Sequence, residues 1–445
     1  MTRHYVISDL HLGMGRLSDG TWHPLEDFRS DQAFKKFLDF LANEEADELI
    51  INGDWLDFMQ LEPYAYQPDL FSEDGHRLGW TKEESLNKLQ SCSAQTGHAG
   101  FFKDLRSFLA ENKKRKVTVV MGNHDPDLFW PNVQQEMRTL LGSPGTAQLE
   151  FCQTFTRRGT AHIEHGNQYC SPENKFYNPT NIFHKCTVDG NERLEMVWGT
   201  IFVMEFFNAI EAKLPFADNL KTQSRAMWLG IRNGWVSGNM AAKFVKFIWG
   251  AGIPWSSISA NVLSAPSHDP EELIRDLDDQ DLAAELFAIY DSNPDFKQSF
   301  DSEIAATPQQ DWKSINAPRP QQSVTLDQLE PQVAGASPTL GVFRDEPEFR
   351  GARELLSLDG VEYVIFGHTH MEIDGRDPKA KVPKYFNTGS WIGSIDLAKQ
   401  VNRQRLKTIT DEDLTDDSLF DLRLMTAVIE VDEKSTNVEL QPLNV

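Results

Sequence analysis

Nine residues in five short runs have the types and spacing to hold divalent metal ions and to move protons. Asp9-Leu10-His11 comes first, then Gly53-Asp54-Trp55-Leu56-Asp57, then Gly122-Asn123-His124-Asp125. His165-Gly166 and Gly367-His368-Thr369-His370 complete the set. Carboxylate and imidazole together suit borderline-hard divalent ions such as Mn²⁺, Fe and Zn²⁺. Two such ions, about 3.5–4 Å apart, need a ligand that touches both. A carboxylate has two oxygens and can bridge, whereas an imidazole normally cannot, so Asp54 is the natural bridge. Asn123 offers a neutral oxygen, which limits the negative charge facing an incoming anion. His124 can stabilise developing charge as a cation or protonate a leaving oxygen. Asp57 and Asp125 are both placed to fix its tautomer. Each run has a plainer reading alone: Asp-x-His as a surface turn, Gly-Asp-x-x-Asp as a helix N-cap. The conjunction, in one order and each after a strand pattern, carries the assignment.

The elements that must position these residues follow from periodicity. Tyr5 to Ser8, Glu48 to Ile51 and Val117 to Met121 read as strands. Phe34, Phe37, Leu38 and Leu41 recur at helical spacing between the first two, and Phe101, Leu105, Phe108 and Leu109 between the last two. This βαβαβ rhythm predicts a parallel sheet, whose ligands sit beyond the carboxyl ends of the strands. Residues 148–164 are strand-like with a turn at Gly159. A helix through Leu355 and Leu356 feeds a strand at Val361 to Phe366, and Leu422 to Val431 with Asn437 to Leu440 form an edge hairpin. His162 lies on the face opposite His165 and is expected to be structural. His23, His98 and His184 are secondary candidates for ligand or substrate contact, and Tyr169, Asn174 and Asn178 lie in a loop that could line a pocket.

The chain divides into 1–171, an insert at 172–347, and 348–445. From Glu192 to Val262 the insert is rich in Trp and Phe, including Trp228 and Trp235, and reads as two or three helices. Arg225, Arg232, Lys243 and Lys246 lie among these aromatics. From Ser264 to Pro338 it is acidic and broken by prolines, with short helices expected at Pro270 to Leu277 and Asp281 to Tyr290. Three roles suit it: a helical cap with its own core, a lid over acyl chains, or a face for peripheral membrane contact or a partner. Over 445 residues the net charge is −24, which disfavours nucleic acid as a partner. An anionic substrate stays open, because bound metals invert the local field. Four cysteines without a CxxC pair, and no secretory leader, fit a cytoplasmic protein.

These motifs resemble the calcineurin-like metallophosphoesterase superfamily: Asp-x-His, Gly-Asp-x-x-Asp, Gly-Asn-His-Asp, His and Gly-His-x-His. The resemblance covers roughly residues 1–166 and 348–440. It implies an α/β fold, a four-layer αββα sandwich, here carrying a mainly helical inserted cap. It also implies two divalent metal ions, Mn²⁺ first with Fe or Zn²⁺ as alternatives. Asp9, His11 and His370 would hold one; Asn123, His165 and His368 the other; Asp54 would bridge. His124 would face the phosphate, oriented by Asp57, and a metal-bound hydroxide would attack a phosphodiester or pyrophosphate. Phe58 stands where protein Ser/Thr phosphatases carry Arg, which argues against that branch. Ser8-Asp9-Leu10-His11-Leu12 is similar to the UDP-2,3-diacylglucosamine pyrophosphohydrolase branch, although Asn167 replaces the Asp usual after its His-Gly. A small-molecule or lipid-linked phosphate is therefore the expected substrate. The alternatives are a nuclease of the double-strand-break repair type and a non-catalytic binding scaffold; the sequence leaves the oligomeric state open.

Overall fold

The computed structural model describes residues 1–62, 69–142, 148–169, 174–213, 236–251, 280–306, 347–393 and 422–443, with a few single residues besides. Strand β1 (Thr2–Ile7) alternates as a strand must: Tyr5 and Ile7 join one core and Val6 the other. Helix α1 (Asp31–Asn43) buries Phe34, Phe37, Leu38 and Leu41, the stripe its spacing predicts. Strand β2 (Glu48–Asn52) follows, then α2 (Lys82–Cys92), α3 (Ala99–Glu111) and β3 (Lys116–Val120). Sequence periodicity misses α2, whose apolar stripe is weak. Its start was nonetheless written in Thr81 and Glu84, which form a reciprocal capping box.

A 3₁₀ turn (Pro126–Phe129) and α4 (Pro131–Leu140) lead to β4 (Leu149–Cys152), β5 (Phe155–Arg158) and β6 (Ala161–Glu164). The strand-like stretch is thus three strands, with β5 and β6 an antiparallel pair turning at Gly159. The insert opens with a hairpin, β7 (Phe183–Lys185) and β8 (Glu192–Leu194), where mainly helix was expected. Bridges Ser72↔Cys186 and Leu78↔Glu195 tie it to the segment before α2. Then come α5 (Trp198–Phe202), a π-helical turn (Val203–Phe207) and α6 (Asn208–Glu211). Helices at Gly238–Ala251, Gln280–Ser292 and Pro294–Ala306 follow; the second covers the helix expected at Asp281 to Tyr290. The helix expected at Pro270 to Leu277, and Trp228 and Trp235, lie outside the described residues. No helix among the described residues is long and apolar enough to cross a membrane.

The helix Pro347–Leu356 returns the chain to the sandwich, followed by β9 (Tyr363–Phe366), β10 (Glu372–Ile373), β11 (Tyr385–Thr388), β12 (Met425–Val431) and β13 (Thr436–Pro442). One sheet runs β13-β12-β1-β2-β3-β4, the other β10-β11-β9-β6-β5. β1, β2, β3 and β4 are parallel, and β13 lies at the edge as the final hairpin predicts. Val6, Ile50 and Val120 of the first sheet meet Ile163, Ile365 and Phe386 of the second. On the outer face of the first sheet, Phe34, Phe37, Phe101 and Leu105 cover Ile7, Leu49 and Val117. On the outer face of the second, Phe349, Ala352 and Leu355 cover Val364, Phe366 and Tyr385. These layers make the four-layer αββα sandwich.

Candidate metal centre

The parallel strands deliver the five runs to one rim. Asp9 and His11 leave β1, Asp54 leaves β2, Asn123 leaves β3, His165 leaves β6, and His368 and His370 leave β9. The backbone there is strained. Asp9, His11, Asp54, His368 and His370 all have positive φ, between 50° and 67°. Such a conformation costs a non-glycine residue roughly 1–2 kcal/mol, and outliers of this kind gather at functional sites. The glycines beside them permit close approach. A Cβ on Gly122 would strike the Asp54 carboxylate and amide, and one on Gly53 would strike the His165 ring.

Two groups of donors result, Asp9 with His11 and His370, and Asp54 with His165 and His368; a third, His11 with Asp57 and His124, adjoins them. His370 Nε2 lies 3.3 Å from Asp9 Oδ1, and the Nε2 atoms of His11 and His370 face each other at 3.2 Å. Asp54 Oδ2 stands between the groups, 3.0 Å from His165 Nε2 and 3.8 Å from His11 Nε2. Buried Asn123 Oδ1 has no hydrogen-bond partner among the described residues. All the sequence-predicted ligands are therefore at one place.

The tautomers test whether metal ions fit. His165 Nδ1 lies 2.9 Å from the Asn52 carbonyl, which can only accept, so Nδ1 carries the proton. With Nδ1 so committed, His165 Nε2 and the Asp54 carboxylate need a cation between them, a proton in the metal-free protein and a metal ion when one is bound. Likewise Asp57 Oδ2 lies 3.2 Å from His11 Nδ1, which leaves His11 Nε2 with its lone pair towards the ring of His370. Imidazoles pinned at Nδ1 by an oxygen are the usual support for Nε2 ligation. Burial lowers the His165 pKa, but Asp54 outweighs this and holds it at about 9. Burial, helped by His165, takes His368 down to about 3. Burial would raise the Asp54 carboxyl, yet the surrounding histidines keep it well below the usual range. The donor set, its locked tautomers and the unpaired Asn123 oxygen fit divalent cations.

His124 sits beside this centre, its side chain 20% exposed. Its Nδ1 lies 2.8 Å from Asp57 Oδ2, the oxygen that also meets His11. Asp125 does something else. It accepts from the amides of Trp55 (2.8 Å) and Gly122 (2.7 Å) and so fixes the two loops to each other. Residues 2–200 match the calcineurin-like phosphoesterase family. No curated protein is a match for the chain. Among solved structures the chain is similar to the nuclease MPE of Pseudomonas putida, at 17% identity and a TM-score of 0.19. That likeness covers 37% of this chain and only 55% of the nuclease, and is too slight to carry an argument.

The secondary candidates divide. Asn174 Nδ2 lies 3.3 Å from His368 Nε2, so its loop does reach the site. Tyr169 bonds Glu164 and stacks on Phe366, as a structural residue does. His162 bonds Glu164 and stacks on Phe155, on the side away from the metals' donors. His98 is buried between Glu26 and Asp31. His184 lies 3.4 Å from Glu195. Sequence reasoning missed Trp80, Asp127, Glu195 and Met196, which line a small cavity with Asn123 and His124. Only the nearness of Asp127 to the third run hinted at any of them.

Proposed function

We propose that the protein is a dinuclear metal-dependent phosphoesterase that cleaves a phosphodiester or pyrophosphate bond. The observation that carries this is the place of Asp54, with one oxygen near histidines of both donor groups. Asp9, His11 and His370 would hold one ion, Asn123, His165 and His368 the other, and Asp54 both. Mn²⁺ is the proposed metal, with Fe or Zn²⁺ as alternatives. Once bound, two divalent ions would supply an activated water and neutralise charge on the phosphate.

The chain's own residues do the rest. With Nδ1 held by Asp57, the His124 ring is oriented to give a proton to the leaving oxygen. General-acid help of this kind is worth roughly 10²–10⁴-fold. Asp57 serves both rings, orienting His124 for substrate and His11 for metal. The proposed substrate is a small or lipid-linked phosphate compound, since a net charge of −24 opposes nucleic acid. The test is elemental analysis after Mn²⁺ loading, with turnover of bis-p-nitrophenyl phosphate. Two equivalents and turnover are expected. Full activity with at most one equivalent would refute the dinuclear reading.

A further inference from the structure

Beside His124 and Asn123 lies a cavity of about 10 Å³, walled by Met59, Trp80, Asp127, Leu194 and Met196. That is room for about one water-sized group. Apart from Asn123 Oδ1, assigned above to a metal ion, two of its lining residues carry an unsatisfied polar atom. Asp127 is fully buried; one carboxylate oxygen accepts from Ser85 Oγ, and the other, Oδ2, has no partner among the described residues. Trp80 is 4% exposed, and its Nε1–H also lacks a partner. Trp55, Trp130 and Trp391 share that lack, but Trp80 shares its cavity with an unpaired acceptor. A buried donor and a buried acceptor left unpaired each carry an uncompensated desolvation penalty. A group that satisfies both must donate one hydrogen bond and accept another. A hydroxyl does so, as does the water it would displace; a phosphate oxygen cannot donate to Asp127, and an ammonium cannot accept from Trp80.

We propose that this cavity is a hydroxyl-recognition subsite, in which Asp127 and Trp80 bind an alcohol group of the substrate next to the reacting phosphate. The proposal rests on the phosphoesterase reading of the adjoining centre and deepens it: the substrate is the phosphate ester of a polyol. The hydroxyl donates to Asp127 Oδ2 and accepts from Trp80 Nε1–H. Met59, Leu194 and Met196 pack the carbon skeleton, and the two methionines are flexible enough to admit it. Leu194 and Met196 come from β8 and the residues just after it, so the insert supplies one wall.

The experiment compares glyceryl ethyl phosphate with propyl ethyl phosphate, which differ only in hydroxyls, on the Mn²⁺-loaded protein. Release of glycerol or propanol gives kcat/KM for each, and bis-p-nitrophenyl phosphate reports the metal chemistry alone. The wild type should prefer the glyceryl ester by about tenfold or more, because an analogue without the hydroxyl strands two buried groups. Trp80→Phe removes the N–H and keeps a ring, and should cut that preference by about fivefold, the worth of one neutral hydrogen bond. Equal kcat/KM for the two esters in the wild type, with bis-p-nitrophenyl phosphate turned over, would overturn the subsite and leave the phosphoesterase reading standing. An unchanged preference in Trp80→Phe would overturn it too. No turnover of any of the three would sink the phosphoesterase reading and the subsite with it.

Discussion

Asp57 and Asp125 stand in two similar motifs, and their oxygens have different work. Asp57 Oδ2 meets ring nitrogens of His124 and His11, at 2.8 and 3.2 Å, whereas both oxygens of Asp125 take main-chain amides. Orientation of His124, the proposed general acid, therefore falls to Asp57 and the bracing of two loops to Asp125. Asp54→Ala should remove both metals and nearly all turnover, because it meets both donor groups. Asp57→Asn should keep the metals and lower kcat/KM by about 10–100-fold, the usual cost of losing a group behind a ligand. Elemental analysis beside kinetics separates the two, and equal losses would count against the bridge. His124→Ala should also retain two equivalents while kcat falls by roughly 10²–10⁴-fold. If that variant loses a metal, His124 is a ligand and the division of roles is wrong.

Helix α2 shows how an element far from any ligand sets the site. Its capping box fixes where it starts, and one face then meets two loops of the candidate site. Ser85 Oγ bonds Asp127, three residues beyond His124. Lys88 is fully buried, with Nζ donating to the carbonyls of Phe58 (2.6 Å) and Leu61 (3.1 Å), one and four residues after Asp57. Its ammonium also sits 3.6 Å over the Trp80 ring. Burial pulls the Lys88 pKa down to about 7, against the pull of Asp127. Replacing Lys88 by Met would strand both carbonyls at about 1–3 kcal/mol each. Urea unfolding should show a loss on the order of 2 kcal/mol, with kcat reduced as the Asp57 loop loosens. A variant with unchanged midpoint and unchanged kcat would show that α2 braces nothing.

For the molecule as a whole, what matters is how the two sheets are clasped. Glu48 on β2 pairs with Arg158 on β5, in the opposite sheet, and takes further bonds from His4 and Thr118. Burial would raise the Glu48 carboxyl, but Arg158 and His4 win and hold it at about 2. The folded pKa lies below the unfolded one. The stabilisation is therefore fully present above about pH 4.5 and is lost as pH falls through about 2. The linkage is on the order of 3 kcal/mol. Glu48→Gln should lower Tm at pH 7 and flatten its dependence on pH between about 4.5 and 2. A variant whose acid limb matches the wild type would place the acid sensitivity elsewhere.

The sequence by itself determined the strands that carry the site and the residue types at their tips. Period-two burial at Tyr5, Val6 and Ile7 and the helical stripe from Phe34 to Leu41 are local facts, and a parallel sheet must present its carboxyl-end loops together. Asp9, His11, Asp54, Asn123, His165, His368 and His370 were legible for that reason. Helix α2 was less so, because a capping box is a weak signal without an apolar stripe. Only the tertiary structure decided between Asp57 and Asp125, since the choice depends on which nitrogens and amides each oxygen meets across loops. Only it brought Trp80, Asp127 and Met196 to one cavity. Those residues lie on segments far apart in the chain, and no spacing rule links them. A hydrogen bond left unmade is a property of three-dimensional surroundings, and Asp127 and Trp80 acquire theirs only when α2, the 3₁₀ turn and the β8 segment pack together.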